Sequence, residues 1–113
     1  MKIAWLATIV LLLASSAAAQ NGHGVLFSYT QSVSPGVTGN NIYRATNVSG
    51  PWTQIGSSTP ENTSYLDQTG TVGTTYFYAA TAVVSGQESA KAIDTTGIIY
   101  PPQPPSGLGV QPE

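Results

Sequence analysis

Beyond its first twenty residues the chain is written in short apolar–polar alternations, each cut off by proline, glycine or asparagine. Val25, Phe27 and Tyr29 alternate with Leu26, Ser28 and Thr30. A period of two marks a strand with one buried face. The pattern predicts further strands over residues 40–46 around Ile42, over 52–55, over 64–67, over 74–84, and from 89 to about 100. In the longest, Tyr76, Tyr78, Ala80 and Ala82 share one face; Phe77, Ala79, Thr81 and Val83 share the other. Ser34-Pro35-Gly36, Ser49-Gly50-Pro51 and residues 57–60 carry turn chemistry, residues 70–73 make a corner, and Ser85-Gly86-Gln87 has the glycine a tight hairpin needs. No helical apolar period follows the first twenty residues. Short strands at this spacing predict an all-β antiparallel sandwich or barrel. Pro101, Pro102, Pro104 and Pro105 then predict a stiff, extended linker over 101–105.

The opening is different in kind. Lys2 precedes an apolar run to Ala14, and Ala17-Ala18-Ala19 closes it. A positive residue, an apolar run and a small-residue end are the parts of a secretory signal peptide. Residues 1–19 are therefore expected to be a leader, with cleavage after Ala19. The run is short of the roughly 20 apolar residues that favour a spanning helix. The protein is expected to be exported and secreted, with no membrane segment after cleavage.

Composition narrows the chemistry. Past the leader only Arg44 and Lys91 are positive, against Glu61, Asp67, Glu88, Asp94 and Glu113. Two dispersed cations cannot neutralise a run of phosphates, which excludes nucleic acid as a partner, and they offer little attraction to anionic membranes. There is no Cys, so stability has to come from packing and hydrogen bonds. His23 is the one His. It cannot build a metal site alone, and no second base exists for a triad. Glu61 with Asp67, and Glu88 with Asp94, read as solvated charges rather than a glycosidase pair, which needs an enclosed acid. No cofactor, metal or catalytic residue is expected, and the protein is expected not to be an enzyme. Trp52, Tyr43 and Phe77 are outward aromatics by alternation. They suit cross-strand packing, with Trp52 and Tyr43 the alternative ligand surface.

The order of these segments resembles the fibronectin type III family. His23-Gly24-Val25-Leu26-Phe27-Ser28-Tyr29-Thr30 looks like the family's second strand, and residues 35–44 resemble the next loop and strand of bacterial secreted members. Gly50-Pro51-Trp52-Thr53-Gln54-Ile55, Thr63-Ser64-Tyr65-Leu66-Asp67 and residues 73–83 are similar to the strands that follow, and Gly86-Gln87-Glu88-Ser89-Ala90 to the last hairpin. The resemblance covers residues 23 to about 100 and implies an immunoglobulin-like antiparallel sandwich over 20–100. It implies that Tyr76 is the tyrosine-corner residue, whose hydroxyl bonds back to the chain. Three departures imply a thin core: Tyr29 where a Trp is usual, Asn40 where an aromatic is usual, and Gly70 where an apolar residue is usual.

The largest departure concerns the first strand. Members open with a proline-bounded Leu-x-Val strand, but only residues 20–22 lie between the expected cleavage point and the second strand. That pattern stands instead near the other end, as Pro104-Pro105-Ser106-Gly107-Leu108-Gly109-Val110-Gln111, which makes residues 106–113 a candidate donor strand. A nine-residue strand covers about 30 Å and a five-residue proline linker about 15 Å. The tail therefore falls short of its own entry pole and is placed to enter a neighbour. The resulting expectation is an extracellular filament: a homo-polymer in which Leu108 and Val110, flanked by Pro105 and Gly107, pack beside Val25 and Phe27 of the next copy. The alternative is a secreted monomeric module that binds a polysaccharide or a cell-surface protein, with the tail as a spacer.

Overall fold

The computed structural model describes residues 12–16 as backbone, together with residues 24–107 and 109–112. Eight strands form two antiparallel sheets: β1 (Leu12–Ser16), β2 (Val25–Tyr29), β3 (Val37–Ala45), β4 (Thr53–Ser58), β5 (Ser64–Asp67), β6 (Thr75–Val84), β7 (Gln87–Glu88) and β8 (Ala92–Ile99). One sheet has the order β1-β2-β5. The other runs β4-β3-β6-β7, with β8 also pairing β6. The described residues contain no helix, as the absence of a 3.6-residue period requires.

The core lies between the sheets. Val25, Phe27 and Tyr29 of β2 meet Ile42 of β3, Tyr76, Tyr78 and Ala80 of β6, Ala92 of β8, and Tyr100. The Phe27 and Tyr78 rings stand 5.0 Å apart. Both edges of β6 are paired, with β3 on one side and with β7 and β8 on the other, which makes it a central strand flanked by neighbouring side chains. The small residues on its outer face, Ala79 and Thr81, are buried as well, with the Thr81 hydroxyl bonded to Glu88. The β6–β7 hairpin turns at Ser85 and Gly86, both at positive φ, the backbone that a two-residue hairpin needs to match strand twist.

Two departures that implied a thin core are compensated. The Tyr29 hydroxyl reaches Ser58 Oγ at 2.8 Å and donates to the Asn62 carbonyl at 3.1 Å. Asn40 is 1% exposed; its amide donates to the Thr81 carbonyl and to Gln31 Oε1, both at 3.0 Å. At the third, the Tyr100 ring fills the space beside Gly70, where a Cβ would overlap it.

Two expectations require correction. The strand expected from 89 to about 100 begins only at Ala92, as β8, and the short β7 stands ahead of it in the segment read as a turn; between them Ser89 Oγ accepts the Ala82 N–H. Asp67 is not a solvated charge: it is 1% exposed. In β5 the polarity is inverted, with Leu66 exposed and Asp67 buried.

Candidate self-assembly edge

β2 is the strand on which the expected site stands. Val25, Phe27 and Tyr29 are buried while Leu26 and Ser28 are exposed, so its inward face is fixed by the alternation. One edge of β2 pairs with β5, Val25 opposite Asp67 and Phe27 opposite Tyr65. The other edge pairs with β1, in the register Leu12–Tyr29, Ala14–Phe27 and Ser16–Val25. This is the first-strand position of the sandwich. In the full chain it is filled by Leu12–Ser16, a segment expected in the leader, whose backbone also approaches β6 and β8. The sequence offered no sign of this, since Leu12 to Ala14 read as the end of the leader's apolar run and Ser15-Ser16 as part of its small-residue close.

The tail is separate from this edge. Tyr100 and Pro101 are buried, and the Tyr100 hydroxyl donates to the Asp67 carbonyl at 3.2 Å. Beyond them, described residues 102–107 and 109–112 belong to no strand. Pro105 and Gly107 are exposed, the chain bends at Gly107, and Val110 is 86% exposed. Leu108 and His23 lie outside the described residues. Thus Val25 and Phe27 come together on β2, while Val110 does not pack against them within one chain.

A second cluster locks the sheets together beside the site. Asp67 on β5 accepts hydrogen bonds from the Tyr78 hydroxyl at 2.7 Å, from the Thr69 N–H at 3.0 Å and hydroxyl at 2.7 Å, and from Arg44. Burial alone raises a carboxylate's pKa. Here the bonds from Tyr78, Thr69 and Arg44 outweigh it and lower that of Asp67. The Arg44 guanidinium sits 4.5 Å from the centroid of Tyr76. The Thr71 N–H donates to the Tyr76 hydroxyl at 2.9 Å, closing the corner between β5 and β6.

The outer face of the larger sheet carries the alternative surface. Tyr43 stands on it, whereas Trp52 lies outside the strands, directly before β4; both are half-buried. The Tyr43 hydroxyl, the Asn41 amide and the Thr81 hydroxyl all donate to Glu88 Oε2, and the Lys91 ammonium lies 4.4 Å over the Tyr43 ring. Burial, with the Glu88 carboxylate beside it, raises the Tyr43 phenol to about 12, so at neutral pH it remains a donor. A cleft of about 240 Å3 is lined by Arg44, Ala45, Thr46, Pro51, Thr53 and Tyr76. No group of three His, Cys, Asp or Glu side chains with metal-binding geometry occurs among the described residues. Among the described residues no helix is long and apolar enough to cross a membrane.

No family model and no curated protein matches the chain. Solved structures do. A Fn3-like protein from Clostridium thermocellum superposes with a TM-score of 0.62 at 28% identity, over 75% of this chain and 85% of that one. Pectate lyase PelI from Erwinia chrysanthemi gives a TM-score of 0.60 at 17% identity, over 80% of this chain but 26% of the enzyme. Pectate lyase Pel3 from Pectobacterium carotovorum gives 0.60 at 18%, over 93% of this chain and 29% of the enzyme. The two lyases share the fold with this chain over about a quarter of their length. The chain carries a fibronectin type III-like β-sandwich.

Proposed function

We propose that the protein is an exported, non-enzymatic structural subunit that polymerises head to tail, each copy donating residues 105–110 to the β2 edge of the next. The observation that carries this reading is the pairing of Leu12–Ser16 with β2. The first-strand position accepts an extended segment that comes from outside residues 20–113. Once residues 1–19 are removed, β2 keeps its apolar face and an unpaired edge, a template for strand addition. The tail has the first-strand pattern, and Val110 has no packing partner at home. Burying Leu108 and Val110 contributes about 1.5–3 kcal/mol each, with edge hydrogen bonds in addition. A contact of this kind need not close on itself and so produces filaments.

Negative-stain microscopy of residues 20–113 at high concentration tests the reading. Filaments are expected, and they are expected to vanish in Leu108→Asp/Val110→Asp and in a chain cut after Tyr100. Monomers at high concentration overturn it. So does N-terminal sequencing of the exported protein that finds Leu12–Ser16 retained, because β2 would then be paired within its own chain.

A second reading is a secreted binding module for polysaccharide or a surface protein. The half-buried Tyr43 on β3 and Trp52 just before β4 favour it, and the same sandwich occurs in PelI, solved in complex with tetragalacturonic acid. Monomers that bind an oligogalacturonide through Trp52 would decide for this reading.

A further inference from the structure

We propose that Leu12–Ser16 is a cis occupant of the donor slot, so that the unprocessed chain is self-capped and removal of residues 1–19 switches assembly on. This rests on the strand-donation reading above. The slot can hold one strand. In the full chain β1 takes it along five consecutive register pairs, from Leu12–Tyr29 to Ser16–Val25. A donor strand needs the same β2 edge, so the two occupants exclude each other.

The two segments are also alike in what they offer. Leu12-x-Ala14 stands at register positions opposite Tyr29 and Phe27. Leu108-x-Val110 repeats that period of two. The leader carries the smaller residue at the second position, which suits an occupant that is to be replaced. Neither stretch contains a charge, so strand pairing and apolar burial decide the competition.

Tethering settles which occupant wins before processing. Residues 17–24 join β1 to β2, and a short linker holds its segment at an effective concentration on the order of 1 mM. Against donor tails at about 10 µM, a cis segment of equal intrinsic affinity is favoured about a hundredfold. Cleavage removes that advantage in one irreversible step. Processing would then couple assembly to export and keep filaments from nucleating on the wrong side of the membrane.

The test compares the full chain, residues 1–113, with residues 20–113. Light scattering should show the full chain assembling about a hundredfold more slowly at about 10 µM. Full chain carrying Leu12→Asp/Ala14→Asp should recover the rate of the processed chain. Cross-linking reads occupancy directly, because the sequence has no Cys of its own. Leu13→Cys/Ser28→Cys, paired in the register, should close a disulfide within full-chain monomers. Leu12→Cys/Ser28→Cys, one residue out of register, should not. Equal assembly rates for the two chains, no recovery in the Asp variant, or failure of the in-register pair to close each overturns the inference. In those cases filaments formed by the processed chain still uphold the donation reading. A processed chain that stays monomeric overturns the donation reading and this switch together.

Discussion

Arg44 Nη1 lies 2.9 Å from Asp67 Oδ2 and 3.2 Å from Asp67 Oδ1, an ion pair that ties β3 of one sheet to β5 of the other. The carboxylate is buried and the guanidinium largely so. Tyr78 and Thr69 complete the carboxylate's shell. Removing one partner of such a pair leaves an uncompensated buried charge and costs about 3–5 kcal/mol. Asp67→Ala should therefore lower the unfolding free energy by that order in urea at pH 7. Arg44→Met/Asp67→Leu, which removes both charges, should lose less than the sum of its single variants. A loss under about 1 kcal/mol for Asp67→Ala would contradict the burial assigned to this pair.

Acid should expose the same pair. The folded state holds Asp67 below its ordinary value of 3.8. The folded form thus binds fewer protons than the unfolded form as pH drops past that value. The pair's contribution is complete above the unfolded pKa and is lost as pH falls through the folded pKa. Glu88 is also lowered, by Thr81, Tyr43, Asn41 and Lys91 against its burial, and acts in the same direction. Stability should fall below about pH 4, and Asp67→Asn should flatten the profile without abolishing it. A profile that is identical in the variant would remove Asp67 from the explanation.

Gly70 should resist even the smallest side chain. A Cβ at that position overlaps the buried Tyr100 ring. Overpacking of this sort costs typically about 1–3 kcal/mol, so Gly70→Ala should lower Tm measurably. Tyr100→Leu should relieve part of that cost in the double variant. Strict additivity of the two would show that they do not touch.

Val110 should separate stability from assembly. It is 86% exposed in the chain that carries it, and surface substitutions of this kind usually stay within about 0.5 kcal/mol. Val110→Asp should leave the urea midpoint of the monomer unchanged while blocking filaments. If it unfolds the monomer instead, the tail packs at home and donation is wrong.

Trp52 divides the two functional readings. Trp52→Ala should leave filament formation intact under strand donation, because the residue directly precedes β4, a strand of the larger sheet and not of the sheet that holds β2. Isothermal titration with an oligogalacturonide should show no heat that depends on Trp52. Heat that disappears in the variant would favour the binding module.

Much of the fold was legible in the chain. The alternation of Val25, Phe27 and Tyr29 and the stretch around Tyr76 and Tyr78 placed β2 and β6 within a residue or so, because a half-buried strand shows its period directly. The turn at Ser85 and Gly86 was legible for the same local reason. Asp67 was not. Its burial depends on Arg44, Tyr78 and Thr69, which lie on other elements or past the strand's end, and alternation within residues 64–67 places Leu66 no differently from a core residue. Glu88 was likewise unreadable as the acceptor for Tyr43, Asn41 and Thr81, since β7 is two residues long.

The sequence by itself determined the strand class, the inward faces, the low charge and the first-strand pattern at 105–110. Each is a local property, set by residue type and spacing. Only the tertiary structure decided what stands beside β2, because pairing partners are chosen by geometry across distant segments. It placed Leu12–Ser16 there and left Val110 in solvent. It also made Arg44 and Asp67 a pair, since two sheets had to stack before a strand-end carboxylate could meet a guanidinium 23 residues away.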